Sequence, residues 1–526
     1  MAAELNRGTN RGAPILFGGV LVIAIALLIR SIWISLSWPM EIDTPLLHYM
    51  AFAVDSGVVP YRDLFVTSFP GAILFHIGII RMVGTGEQAF MLVNLVWLLA
   101  VIFATWKCLA PLGHRVALAG GILFGLVYLH GGPYIALQRD AVLILPIACA
   151  TWLGLAERGS TRWRALSMGL LFGLAATIKP HAAIGLPFIL WLGNYRNRDG
   201  EERGAAAFVR RTAFASVGFA LPLVAVYGWL VSTGGSDAFF EMVATYLPLH
   251  LELSGHHEEL VGAARWLHLF KRTIDFGPES AWLIAAVPGW LIVVSTQEVS
   301  ESAKRTLRLF GTLAIVYALY PALAGQFWNY HWLPFEYFAA QLAAFCLLDP
   351  QRLRGNALLR FTPVLLLIAA LHFSDAAFPP PATEAPTAAQ LSSKKRLSKR
   401  VGYHHRVFEI GSFLESELEP NDRVQPLDWV GGGVHAMLVA QAQIATPFVS
   451  DYHFYHHVDH PYVRGLRERF LTELKAEPPR FIVEILDIPR PKDGDFKPLM
   501  RWIKRNYVSA KEGRSWVVWE HELSDR

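Results

Sequence analysis

The chain has 526 residues, of which 53% are hydrophobic and 17% charged; soluble domains carry about 25% charged residues. With a mean hydropathy of +0.34, this composition excludes an array of soluble domains, a disordered chain, a collagen and a coiled coil. The 47 Lys and Arg against 43 Asp and Glu leave a net charge of +4, too small a surplus to point to nucleic acid.

A helix crosses a bilayer core with about 20 apolar residues. Eleven segments are expected to span: Pro14–Trp38, Gln88–Trp106, Val116–His130, Asp140–Ala156, Ala165–Ile178, Ala182–Tyr195, Ala213–Val231, Ala281–Ser295, Leu309–Gly325, Trp332–Leu348 and Leu358–Ser374. The first is too long for a cleavable signal, and no A-x-A site follows it. Basic residues collect on the cytoplasmic side. They occur here at Arg7 and Arg11 and then in alternate loops, most densely at 157–164 and 196–211. The expected N-terminus is therefore inside and the C-terminus outside. The fifth and sixth spans have only about 14 residues each, roughly 21 Å. Because the loops on both sides of them are basic, they are expected to form a hairpin whose tip is Lys179-Pro180-His181. The cysteines, Cys108, Cys149 and Cys346, lie in apolar runs and none follows Cys346, so a C-terminal domain folds without disulfides.

Two external loops stand out, 39–87 and 233–280. The first contains Glu41-Ile42-Asp43-Thr44-Pro45 and then a helix with Leu46, Leu47, Met50, Ala51 and Val54 on one face. Gly57 and Pro60-Tyr61-Arg62-Asp63-Leu64-Phe65 follow. Phe69-Pro70-Gly71 then leads into a second apolar helix, Ala72–Ile80. Such a loop lies on the membrane surface. After the last span, Pro379, Pro380, Pro381 and Pro386 mark a linker over 377–400, which ends in the basic run Lys394-Lys395-Arg396, Lys399 and Arg400. Beyond it, helical patterns at Phe408–Leu418, Tyr462–Lys475 and Phe496–Tyr507 alternate with strand patterns at Arg423–Leu427, Arg480–Ile485 and Ser515–Glu520. The expected fold is an α-helical polytopic membrane domain over 1–376, then the linker, then a small extracytoplasmic α/β domain over 401–526.

Five features recur together in one known superfamily. An acidic residue after the first span, Asp43, is followed by Gly57, the Pro60–Phe65 stretch and Pro70-Gly71. The others are Gln138-Arg139-Asp140, Gly169–Lys179, Tyr330-His331-Trp332-Leu333-Pro334 and Pro478–Val483. This ordered set resembles the GT-C superfamily of integral-membrane glycosyltransferases, in the bacterial branch related to protein O-mannosyltransferases and lipid A aminoarabinose transferases. The stretch Val66-Thr67-Ser68 departs from the branch, which often carries Asp and Asn there, and the acidic pair is split as Glu41 and Asp43.

The resemblance implies the GT-C fold and a sugar donor linked to polyprenyl phosphate. It also implies an acceptor hydroxyl on a lipid, glycan or protein, and reaction at the outer face of the bacterial inner membrane. It makes Asp43 the general base; the bland alternative is a helix start with Thr44 as cap and Pro45 at the first helical position. Asp140 is placed near the acceptor or a metal and Arg139 near the donor phosphate, against a plain ion pair at a helix N-terminus. Lys179, an ionisable residue at membrane depth, becomes a phosphate ligand, against a lysine snorkelling to the surface. His181 and His331 are further phosphate candidates. Arg62 and Asp63 are expected to brace the loop, Tyr61 to line the cavity, and Glu41 to be a solvated flanking charge.

No residue set forms a dedicated metal site. Mg²⁺ or Mn²⁺ would bind weakly and exchangeably at Asp43, Asp140 or Glu41. The run Asp451–His460 holds zinc-type ligands without a zinc spacing, and reads instead as an aromatic loop facing the acceptor. Gly431-Gly432-Gly433 lacks the G-x-G-x-x-G spacing of a nucleotide site. The rival readings are a polyprenyl-lipid or solute transporter without chemistry and a non-catalytic glycan-binding relative.

Overall fold

The computed structural model describes residues 12–156, 159–193, 196–197, 200–201, 204–255, 258–275, 277–295, 300–347, 357–376, 399–488, 490 and 495–522. The Pro-rich linker and the Lys394–Arg396 run lie outside them. The chain divides into two compact units. One comprises Met1–Leu36, Met91–Ala225 and Leu260–Ala382; the other comprises Ser37–Phe90, Val226–Glu259 and Thr383–Arg526.

The first unit is built of apolar helices, and each segment expected to span is helical over most of its length. Gly18–Ser35, Glu87–Leu112, Ala205–Thr233 and Glu301–Ala324 are long and apolar enough to cross a membrane by length and composition. Three of the expected spans are segmented. Lys179 leaves the Thr161–Ile178 helix in an extended conformation, because a residue before proline avoids the helical region. A 3-10 turn, Pro180–Gly185, then leads into the Leu186–Leu192 helix. The ninth span ends its first helix at Ala318 and resumes at Tyr320–Ala324. The tenth starts as a 3-10 turn, Asn329–Trp332, and continues as Leu333–Ala344.

Small residues bring helix backbones together. A Cβ added at Gly169 would lie 1.9 Å from the Ala215 carbonyl oxygen, one at Gly173 2.4 Å from that of Phe219, and one at Gly218 2.0 Å from that of Leu166. The Gly-x-x-x-Gly spacing thus forms one close contact between the Thr161–Ile178 and Ala205–Thr233 helices, as small residues do in membranes. Two arginines expected in cytoplasmic loops instead cap helix ends. Arg164 donates to the carbonyls of Leu153 and Gly154, and Arg211 to that of Leu190. The Gly262–Ile274 helix is inverted relative to a soluble one. Arg265, Leu269 and Arg272 face inward, whereas Trp266, Leu267, Phe270 and Ile274 are exposed. At 13 residues, about 20 Å, it suits the membrane interface rather than a crossing.

The second unit holds the first external loop and the C-terminal region. The latter is a five-stranded sheet in the order Gln443–Ile444, Arg423–Leu427, Phe481–Ile485, Trp516–His521, Tyr507–Gly513. The first three strands are parallel and the last two antiparallel to their neighbours. The buried strand Phe481–Ile485 is the most apolar, as its central place requires. Phe413 packs on this strand at Phe481, and Phe448, Phe454, Phe470 and Phe496 form an aromatic cluster with neighbouring rings 4.7–6.5 Å apart.

The Asp451–His460 run is buried or half-buried over most of its length and exposed at Asp459 and His460. Asp451, His453, Phe454, Tyr455 and His456 are buried; Asp451 pairs with Arg490 at 2.9 Å, and His453 Nδ1 lies 2.8 Å from the Tyr246 hydroxyl. Burial holds His453 neutral, its pKa lowered to about 3, and outweighs Arg490 at Asp451, whose pKa rises to about 6. At the glycine run, the Gly431, Gly433 and Val434 amides all donate to the Asp428 carboxylate, so an internal anion occupies that helix start.

Candidate active site

In the first unit the turn Gly132–Gln138 sets up the Gln138-Arg139-Asp140 motif. Leu137 is left-handed, φ 48°. Its amide donates to the Asn94 side-chain oxygen at 3.2 Å and to the Tyr128 hydroxyl at 3.1 Å, and that hydroxyl itself donates to Asn94. A buried polar knot therefore fixes a backbone shape that a branched residue disfavours. Gln138 then caps the Arg139–Leu155 helix, which places Asp140 in its first turn, where the helix dipole favours a carboxylate.

Asp140 is fully buried, and both its oxygens are engaged. Oδ2 accepts from Lys179 Nζ at 2.7 Å, and Oδ1 accepts from the Tyr320 hydroxyl at 2.7 Å. Lys179 is 8% exposed. Its ammonium stands 5.9 Å from the Tyr320 ring centre and 5.7 Å from that of Tyr330, within cation–π range. The snorkelling alternative is therefore wrong, because the side chain ends on a buried carboxylate. His181, at the hairpin tip, packs at a tilt 4.5 Å from the Tyr320 ring, and His331 packs at 4.8 Å on Tyr330. His181 Nε2 and His331 Nδ1 are buried with no hydrogen-bond partner among the described residues, which leaves each open to a ligand or water. The Tyr317 hydroxyl donates to the Ala182 carbonyl at 2.8 Å and pins the tip.

Asp140, Lys179, His181 and His331 thus converge, with Tyr320 and Tyr330 between them. The two tyrosines carry the cluster and were not among the sequence-derived candidates. Tyr330 stood within a recognised motif, and the helix break before Tyr320-Pro321 was a usable signal.

In the second unit Asp43 is the first residue of the Asp43–Asp55 helix, and it is half-buried. The capping alternative is corrected. The N-cap is Ile42, at φ 60° and ψ −110°, whose side chain makes no capping hydrogen bond; Thr44 and Pro45 lie inside the first turn. A β-branched residue at positive φ is strained, and this strain sits immediately before Asp43. Glu41 is corrected as well. It is 6% exposed, and its carboxylate lies 3.2 Å from His404 Nε2, because the Lys399–Glu417 helix covers it. Glu87 makes a parallel pair, its carboxylate 3.0 Å from His435 Nε2.

The Pro60–Phe65 loop is braced by Tyr61 and by Asp63, whose carboxylate accepts from the Val59 backbone. Tyr61 is 2% exposed at φ 66°, and its hydroxyl donates to the Ser68 carbonyl at 2.7 Å. Arg62 and Asp63 pair with each other at 2.7 Å on the surface, where such pairs contribute little. Among the described residues no group of three or more His, Cys, Asp or Glu could hold a metal ion.

No family model matches the chain, and no curated protein matches its sequence. Solved structures do match. The crystal structure of ArnT from Cupriavidus metallidurans bound to undecaprenyl phosphate superposes with a TM-score of 0.59 at 12% identity, over 96% of this chain and 98% of that one. The apo form of ArnT gives 0.57 at 12% identity, over 95% and 98%. ArnT is a GT-C glycosyltransferase. The chain therefore has the fold of the GT-C superfamily of integral-membrane glycosyltransferases.

Proposed function

We propose that this chain is a membrane glycosyltransferase. It takes a sugar from a polyprenyl-phosphate donor and passes it to an acceptor hydroxyl at the outer face of the bacterial inner membrane. Its N-terminus is cytoplasmic, eleven segments cross, and the C-terminal domain is extracytoplasmic. The observation that carries this reading is the fold likeness to ArnT along nearly the whole of both chains, since that protein was crystallised with undecaprenyl phosphate. The buried ion pair in the first unit favours it over a transporter without chemistry, because a buried ion pair is costly.

In the proposed reaction the acceptor oxygen attacks the anomeric carbon. The bond from that carbon to the phosphate oxygen breaks with inversion, and polyprenyl phosphate leaves with the electron pair. The acceptor proton passes to the Asp43 carboxylate. Arg139 and Lys179 stabilise the charge that grows on the leaving phosphate, and His181 and His331 donate hydrogen bonds to it. Asp140 positions the Lys179 ammonium rather than meeting the acceptor itself. Glu41, Tyr61, Arg62 and Asp63 support the loop that carries Asp43. Of the carboxylates weighed for Mg²⁺ or Mn²⁺, Asp140 is engaged by Lys179 and Tyr320, and Glu41 by His404.

The test is Asp43→Asn in the full chain. The amide keeps the side-chain shape and cannot take the proton. Turnover should fall by about 10²–10⁴-fold, with donor affinity and thermal stability retained. A folded variant with near-normal turnover would contradict the assignment.

A further inference from the structure

The second unit contains a cleft of about 420 Å³ that the proposed reaction does not use. This is within the range of small-molecule sites, about 300–1,000 Å³. One wall is the C-terminal end of the Asp43–Asp55 helix and the turn after it, with Phe52, Ser56 and Gly57. Asp63 closes one end. The other wall is the edge of the five-stranded sheet, with Arg423 and Gln443.

The chemistry of this lining selects its occupant. Ser56, Arg423 and Gln443 are exposed, and Phe52 is half-buried. Asp63 is already neutralised by Arg62. The rim thus offers donors and acceptors together beside the aromatic rings of Tyr49 and Phe52, with the Arg423 guanidinium in excess. A phosphate presents acceptors only and would call for several cations. An acyl chain would call for a continuous apolar lining, whereas here Val58, Ile444 and Pro447 alternate with Ser56, Gln443 and Thr446. A sugar hydroxyl is donor and acceptor at once, and the apolar face of a sugar ring packs on an aromatic side chain.

An extended peptide is disfavoured by the sheet edge itself. The edge strand Gln443–Ile444 has two residues, and both flanks are occupied. The Ala442 carbonyl accepts from the Tyr49 hydroxyl at 2.9 Å, and the Pro447 carbonyl accepts from the Phe65 amide at 2.7 Å. Too little free edge remains to add a strand.

We infer that this cleft is a subsite for a neutral, hydroxyl-rich glycan portion of the acceptor. The inference rests on the transferase reading and narrows its acceptor from a lipid, glycan or protein to one that carries a glycan. On the Asp43–Asp55 helix the cleft is lined by Tyr49 and Phe52, six and nine residues beyond Asp43, about 9–14 Å along the axis. The subsite therefore holds sugars remote from the reacting hydroxyl, and an acceptor filling both places is an oligosaccharide.

The experiment is saturation-transfer NMR on the full chain in lipid nanodiscs, with chitotriose, mannotriose and maltotriose as probes. A Ser/Thr-rich peptide serves as comparison. At least one trisaccharide should receive saturation, and Gln443→Ala with Arg423→Ala should weaken its binding at least tenfold. Both residues are exposed, so the fold is retained; Asp43→Asn should leave the binding unchanged. No transfer to any trisaccharide, transfer unaffected by the double variant, or transfer to the peptide alone would overturn the inference. Trisaccharide binding needs no donor, so its loss with donor turnover intact condemns the subsite alone. Intact binding without turnover under any donor condemns the transferase reading alone.

Discussion

The carboxylate of Asp140 and the ammonium of Lys179 come from residues 39 positions apart, and the hydroxyl that completes the contact comes from 180 positions away. This arrangement changes what a substitution at Lys179 would report. Removing one partner of a buried pair leaves an uncompensated charge and costs about 3–5 kcal/mol. Lys179→Met alone should therefore lower thermal stability sharply, whatever its effect on the donor. Asp140→Asn combined with Lys179→Met should recover most of that stability. If the double variant then binds polyprenyl-phosphate sugar as tightly as the natural protein, the phosphate role of Lys179 is wrong. A second residue-scale prediction concerns His453. Its folded pKa is lowered to about 3 by burial, against about 6.5 when unfolded. Its contribution is thus fully present above pH 6.5 and is lost as pH falls from there toward 3, by up to about 1.4 kcal/mol per pH unit. Melting temperatures taken from pH 7 to 5 should fall less steeply in His453→Gln than in the natural chain. Equal slopes would refute the burial argument.

At the scale of elements, local pattern and tertiary context divide cleanly. The strand expected at Arg423–Leu427 occupies those residues, and the helix expected at Tyr462–Lys475 runs Pro461–Ala476, because each carries an uninterrupted period of its own. The edge strands were not legible. Gln443–Ile444 is too short to show a period, and Tyr507–Gly513 is polar and mostly exposed, which is the character of a sheet edge. Site residues follow the same division. Asp140 and Lys179 could be singled out because charge at membrane depth is costly, whereas the burial of Glu41 depends on His404, 363 residues away. The glycines of the Gly169–Lys179 motif gain a reason as well. They let two helix backbones touch. Gly169→Leu should destabilise the folded chain strongly, since any Cβ there meets the Ala215 carbonyl at 1.9 Å. The exposed Gly465, where an added Cβ meets nothing within 4 Å, should tolerate alanine far better. Comparable folded yields for the two variants in membranes would contradict the close contact.

For the whole molecule, the fold likeness to ArnT spans nearly the full length of both chains. The proposed function makes the chain a catalyst rather than a carrier or a scaffold. The most direct test is to reconstitute the purified full chain in liposomes and supply a panel of polyprenyl-phosphate sugars with candidate glycan, lipid and protein acceptors. The released polyprenyl phosphate is then measured. The account predicts release that depends on one donor sugar and on an acceptor, matches the sugar transferred mole for mole, and collapses in Asp43→Asn. Movement of the intact donor across the bilayer, with its sugar–phosphate bond unbroken for every donor supplied, would contradict it.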